Sequence, residues 1–182
     1  NDKQKRADRK IENYYEKIRS GKQEKTFHEI IIQVGNCDNM NAKSPDGELA
    51  ERILDEYYQD FQKRNPYLKV FSSHLHMDEA TPHLHIDFVP FTTKSKRGLD
   101  TRVSLKQALA NQGFVGNSKH ETEWSLWVES EKEALSKVME RYGVEWEQKG
   151  THEKHLSVYD YEKKMRSEEV EKLTEESEKL NL

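Results

Sequence analysis

Four of the eight histidines fall between residues 74 and 85, in the stretch HLHMDEATPHLH. Neutral imidazoles are ligands for borderline divalent ions such as Mn, Zn, Co or Ni. On a strand, successive side chains alternate faces. His83, His85 and Asp87 therefore point one way, and the apolar Leu84, Ile86 and Phe88 point the other. His74 and His76 share a face on the segment before them. Pairing the two segments as a hairpin brings His76 beside His83 and His85, with Glu79 in the connecting turn. Three protein ligands leave coordination positions open, as a catalytic metal requires and a structural metal does not. A metal held this way acts as a Lewis acid on a phosphoryl oxygen. A lone histidine on a strand is ordinarily a surface or hydrogen-bonded residue. Three gathered by strand alternation are harder to explain that way. His74 stands outside the trio, as an orienting partner or a bystander, and Asp78 reads as a residue that orients a ligand or caps the turn.

The elements that must position these residues follow from periodicity. Phe27–Val34 (FHEIIIQV) is rich in β-branched residues and reads as a buried strand. Leu68–Met77 and His83–Phe91 read as two further strands joined by a tight link, and hence antiparallel. Pro90 marks an edge or end. Residues 3–20 read as an amphipathic helix stopped by Gly21, with Ile11, Tyr14, Tyr15 and Ile18 as its stripe. Glu48–Arg64 reads as a helix with Leu49, Ile53, Tyr57 and Phe61 inward and Asn65-Pro66 as its stop. Ser104–Asn111 is a short helix, and Glu123–Tyr142 a long one with Trp124, Trp127, Val128, Leu135 and Val138 along one side. Val144–Gly150 has room for a short strand. The fold class expected is α+β, an antiparallel sheet flanked by helices. The expected organisation is a polar N-terminal helix in 1–25, a core in 26–158, and a charged C-terminal helix in 159–182 that starts a possible coiled coil and homodimer contact.

Composition narrows the setting. Of the 182 residues, 33% are hydrophobic and 35% charged, and the apolar deficit sits at the two ends. No stretch reaches the ~20 apolar residues of a membrane span. The single cysteine, Cys37, excludes an internal disulfide framework and fits a reducing cytoplasm. The net charge of −4 opposes nucleic-acid binding only weakly, because the acidic C-terminal helix can hide a basic patch. Lys94, Lys96, Arg97 and Arg102, with Lys106 beyond them, form such a patch after the third strand and are candidate phosphate contacts. The chain opens on NDKQKR without a methionine and reads as an internal fragment.

The run His76-Met77-Asp78-Glu79-Ala80-Thr81-Pro82-His83-Leu84-His85, followed by Val89-Pro90-Phe91, closely resembles the third motif of the Mob/Pre plasmid mobilisation and recombination proteins. These are the MobV-type relaxases of the HUH endonuclease class. FHEIIIQV, GLDTRVSLKQAL and THEKHLSVYDYEKK resemble the same family less sharply. The resemblance implies an antiparallel sheet with the histidine strand near its centre. It implies a bacterial enzyme that nicks single-stranded DNA at an origin of transfer, stays joined to the 5′ end, and reseals it. His76, His83 and His85 match the family's metal-binding histidines, and Glu79 its acidic position, a ligand or general-base partner. A divalent metal is the expected cofactor, manganese first, then magnesium, zinc or nickel.

One departure stands out. Nothing before Phe27 matches the family's histidine-containing first motif, so the nucleophile is expected upstream. Tyr14 and Tyr15 could form a phosphotyrosine link, but their spacing with Ile11 and Ile18 fits packing better. His152 and His155, three apart, lack an evident third ligand. His28 and His120 have no obvious partners, and Trp124 and Trp127 fit core packing better than base stacking. Two other readings remain open. One is a non-catalytic DNA-binding or replication-accessory module. The other is a non-haem metal oxygenase using His76, Asp78 and a distant histidine, which would call for a double-stranded β-helix.

Overall fold

The computed structural model describes residues 6–36, 38–95 and 98–146, and beyond them residues 163, 166, 167, 170–174, 177 and 179. The chain divides after Trp146 into two units. The second unit is helical at each described residue.

In the first unit, three strands form the sheet: β1 (His28–Gln33), β2 (Leu68–His76) and β3 (His83–Thr92). Their order is β1-β3-β2, antiparallel throughout. A two-residue β4 (Arg102–Val103) pairs with the far end of β3. The histidine strand is therefore central. Its burial alternates without a break over ten residues. Leu84, Ile86 and Phe88 enter the core, while His83, His85, Asp87 and Val89 face away from it. Pro90 lies two residues past Phe88, where β1 has ended, so its missing N–H breaks no ladder with β1. The sheet has four strands, and no double-stranded β-helix is present among the described residues.

Helices cover the core face. α2 (Pro45–Gln59) starts three residues earlier than the apolar pattern suggests, with Ser44 as N-cap and Pro45 in the first turn. It breaks at Asp60 before the one-turn α3 (Phe61–Arg64). α4 (Leu105–Asn111) and α5 (Glu123–Arg141) complete the layer. The N-terminal region is less regular than a helix over 3–20. Ala7–Arg9 makes a 3₁₀ turn, and α1 (Tyr14–Ser20) begins only at an Asn13 cap whose side chain accepts the Glu16 N–H. Its stripe is too narrow to hold a longer helix, and only Ile18 is buried. The short strand expected from Val144 is not formed through Trp146, and the rest of that segment lies outside the described residues.

A polar knot fastens α2, α3 and α5. Glu131 of α5 is 9% exposed. It accepts hydrogen bonds from the Tyr57 hydroxyl at 2.5 Å, Arg64 at 3.0 Å and Asn65 at 2.9 Å. Asn65 in turn accepts from the buried indole N–H of Trp127 at 2.7 Å. Burial and the Glu131 carboxylate push the Tyr57 hydroxyl far above an ordinary phenol. Among the described residues no buried side-chain polar atom lacks a partner. Nearer solvent, Glu56 of α2 holds Arg141 and the Tyr142 hydroxyl, the latter at 2.7 Å.

Removing Glu131 takes an acceptor from Arg64, Asn65 and the Tyr57 hydroxyl at once, and leaves the first two only their backbone acceptors. Breaking a buried pair from one side costs about 3–5 kcal/mol. Glu131→Ala is expected to lower the melting temperature by roughly 10 °C, and Glu131→Gln, which keeps the shape and an acceptor oxygen, by less. Thermal unfolding followed by circular dichroism measures both, and equal melting of parent and Glu131→Ala would show the knot to be dispensable.

Candidate metal centre

Cross-strand register gathers the histidines. His76 of β2 lies opposite His83 of β3, and His74 opposite His85. Directly paired residues share a face. The rings of His76, His83 and His85 form a nearly equilateral triangle, with centroids 5.1, 5.0 and 5.1 Å apart. One ligand nitrogen from each lies within 4.8 Å of the other two. His74 is on the same face, exposed, and outside this group.

Two of the rings are hydrogen-bonded through Nδ1, and the third makes a longer contact. His83 Nδ1 lies 2.9 Å from the Thr81 carbonyl, which can only accept, so Nδ1 carries the proton. His85 Nδ1 lies 2.7 Å from Glu29 of β1. His76 Nδ1 lies 3.4 Å from Asp78 in the β2–β3 turn. With Nδ1 engaged in His83 and His85, Nε2 is the lone pair those two rings have to offer. Metal-binding histidines characteristically hold their other ring nitrogen on a carboxylate or carbonyl. The donor set therefore fits a divalent ion of borderline character, with its nitrogens about 2.1 Å away.

The sequence reading anticipates Asp78 as an orienting residue but does not include Glu29. Glu29 is 56 positions from His85, and only the register that sets Glu29 opposite Asp87 and Ile31 opposite His85 brings it in. The available signal was alternation in FHEIIIQV, which puts Glu29, Ile31 and Gln33 on one face. All three are exposed beside the histidines.

The turn bearing Asp78 and Glu79 is tied down from α2. Gly47, in the first turn of α2, meets the backbone of Asn41 and Ala42 so closely that a Cβ there would sit 2.2 Å from the Asn41 carbonyl. That approach lets the Ala42 N–H donate to the Ala80 carbonyl at 3.1 Å. Glu79 is mostly exposed, with a carboxylate oxygen 3.9 Å from His83 Nε2. It stands at the rim of the triangle rather than among its three members.

The basic patch is not beside the histidines. Lys94 and Arg102 follow or pair with the far end of β3, where Thr92 opposes Arg102. Seven residues of strand separate Thr92 from His85, roughly 20–25 Å. Arg102 donates to Ser95 at 3.1 Å, and Lys94 takes a left-handed backbone conformation (φ 56°). Lys96 and Arg97 lie outside the described residues, as do Cys37, His152 and His155.

Tyr14 is engaged at that same far end, its hydroxyl accepting the Val103 N–H at 2.8 Å. Val103 opposes Phe91, so Tyr14 is a structural contact remote from the triangle. Tyr15 on the same helix is 59% exposed. Trp127 is core, with Trp124 packed on it at 4.9 Å. His28 stacks on Phe88 at 6.0 Å, and burial, then Lys25, hold its pKa below the usual histidine value. His120 is exposed.

Among the described residues no helix is long and apolar enough to cross a membrane. No curated protein and no solved structure matches the chain. A family profile described as plasmid recombination enzyme (Mob_Pre) matches residues 1–163. Most of the chain, the histidine hairpin and the central sheet included, thus falls within that match, and the protein belongs to the Mob/Pre plasmid recombination enzyme family.

Proposed function

We propose that the chain forms the metal-dependent core of a relaxase, one that nicks and rejoins single-stranded DNA at an origin of transfer during mobilisation of a plasmid or conjugative element. The observation that carries this is the triangle of three imidazoles on the open face of the sheet, two of them hydrogen-bonded through Nδ1, in a chain of this family. His76, His83 and His85 would hold the ion through Nε2. When bound, a divalent ion supplies Lewis-acid stabilisation of charge on the scissile phosphate.

The remaining work falls to the chain's own groups. Thr81, Glu29 and Asp78 fix the rings before any ion arrives, which limits reorganisation during reaction. Glu79, at the rim and exposed to solvent, is placed to accept a proton from an attacking hydroxyl. In this reading the attacking nucleophile is a group other than Tyr14, whose hydroxyl is committed to β4. Lys94 and Arg102 contact phosphates away from the cut, and Lys96 and Arg97 are further candidate phosphate contacts. Val170 and Leu173, exposed on the C-terminal helical segment, are candidates for a homodimer contact. A bacterial cytoplasmic location follows from this role.

Metal titration tests the core of the proposal. The purified chain is expected to bind about one equivalent of Mn²⁺ or Zn²⁺. His83→Ala and His85→Ala are each expected to abolish tight binding, and full retention of metal by either would remove the three-histidine site. Glu29→Ala is expected to weaken metal affinity about 10–100-fold while leaving the melting temperature of the metal-free chain unchanged. Glu29→Gln, whose side-chain oxygen can still accept from Nδ1, should recover part of that loss. Lys94→Gly removes a charge at a left-handed position without backbone strain. It is expected to reduce the slope of log K against log salt for single-stranded DNA by about 0.7, and an unchanged slope would take Lys94 out of the interface.

A further inference from the structure

The open face of the sheet continues past the histidines into an exposed aromatic pair. β2 carries one extra residue, Phe71, between Val70, which opposes Phe88, and Ser72, which opposes Asp87. Bulges re-aim side chains and gather near active sites. Val70 lies on the core side and Ser72 on the histidine side, so the bulge turns the strand's facing between them. Phe71 is 58% exposed, and Phe27, immediately before β1, is 49% exposed. The two rings meet edge to face with centroids 5.7 Å apart. β1 and β2 are not neighbours, since β3 runs between them. The rings therefore reach toward each other across β3, near Asp87 and Val89, roughly 7–13 Å along the strand from His85.

Large exposed apolar groups on a domain with a filled core mark a contact surface. What they contact is indicated by their setting. Lys25 and Lys69 each stand two residues before one of the phenylalanines, and both are exposed. Lys69 opposes Val89 on the histidine side of the sheet. Aromatic faces flanked by cations are how proteins hold single-stranded nucleic acid, by stacking bases while lysines follow the phosphates.

We propose that Phe27 and Phe71 form a stacking platform for a base of single-stranded DNA, one or more nucleotides away from the phosphate held at the histidine site. The proposal rests on the relaxase reading above and adds to it the residues that grip the unpaired strand. Duplex DNA keeps its bases stacked on one another and has no base to offer this platform. The pair thus favours single-stranded over double-stranded substrate.

The test is the affinity of the full chain for a fluorescein-labelled oligothymidylate, measured by anisotropy across a salt series, beside metal titration and sedimentation of the same samples. Phe27→Ala, Phe71→Ala and Phe71→Leu are each expected to raise Kd about tenfold, and Phe71→Trp to restore it. The salt slope and metal affinity should match the parent, because no charge or ligand is removed. Binding to a duplex of the same length should be unaffected. Both rings are exposed, so the variants are expected to melt with the parent, and the Leu and Trp variants keep the comparison valid if an alanine variant does not fold. Parent-like Kd in both alanine variants, or full rescue by Leu, overturns the platform while leaving the metal site and DNA binding intact. Parent-like Kd with a dimer converted to monomer overturns it in favour of a self-association surface. Loss of all single-strand binding in a metal-loaded parent would overturn the relaxase reading itself and the platform with it.

Discussion

The architecture depends on β3 being hydrogen-bonded along both edges. β1 and β2 flank it over His83–Phe88 and fix its register from two sides. Because the side-chain period of a strand is two, a slip of one residue would move Leu84, Ile86 and Phe88 out of the core and drive His83, His85 and Asp87 into it. Burying those polar groups without partners costs several kcal/mol, so the sheet tolerates no alternative register. The same constraint that holds the core also presents the imidazoles.

Behind the sheet, the helical layer is locked by polar contacts as well as apolar ones. The Glu131 knot joins residues from α2, α3 and α5 through one shared carboxylate, with Asn65 also donating to the Phe61 carbonyl and Arg64 to that of Tyr57. Such a network, fully satisfied, specifies one arrangement of helices where apolar packing alone would allow several. Its relevance to the open face is indirect. α2 carries Gly47 at its start, and the close approach there brings Ala42 to the carbonyl of Ala80. Helix position is thereby transmitted to the turn that carries Asp78 and Glu79.

Local patterns were legible in the sequence, and contacts set by register were not. HLHIDF declares its two faces without any knowledge of neighbours, and the tight link before it makes the hairpin nearly obligatory. The three-histidine triangle follows from that alone, the α+β class from the further strands and helices, and the central position of the histidine strand from the Mob/Pre resemblance. Glu29 and Glu131 did not follow. One is a carboxylate in a strand, the other a carboxylate on an amphipathic helix, and each gains its meaning from a partner more than fifty positions away. The place of the basic loop was hidden for a related reason. Close in sequence to the histidines, it is carried away by the length of β3, because an extended strand covers more distance per residue than any other element. The bulge at Phe71 was hidden too, since Leu68–Met77 reads as an uninterrupted strand until the pairing with β3 is known. β4, at two residues, has no periodicity to read.

The three anchors of the imidazole triangle differ in kind, and the difference assigns each part of the fold a share in the site. His83 leans on a carbonyl two residues before it, so its orientation is set within the hairpin. His76 leans on an exposed carboxylate in the turn, with its own side chain 38% exposed, and is the least constrained of the three. His85 leans on Glu29, and Glu29 is positioned only by β1. A hairpin of β2 and β3 alone would therefore keep the sequence motif and two of its three anchors, yet leave His85 free to rotate between Nδ1 and Nε2 presentation. Since the affinity of such a site depends on rings fixed in advance, β1 is part of the candidate metal centre although it supplies no ligand.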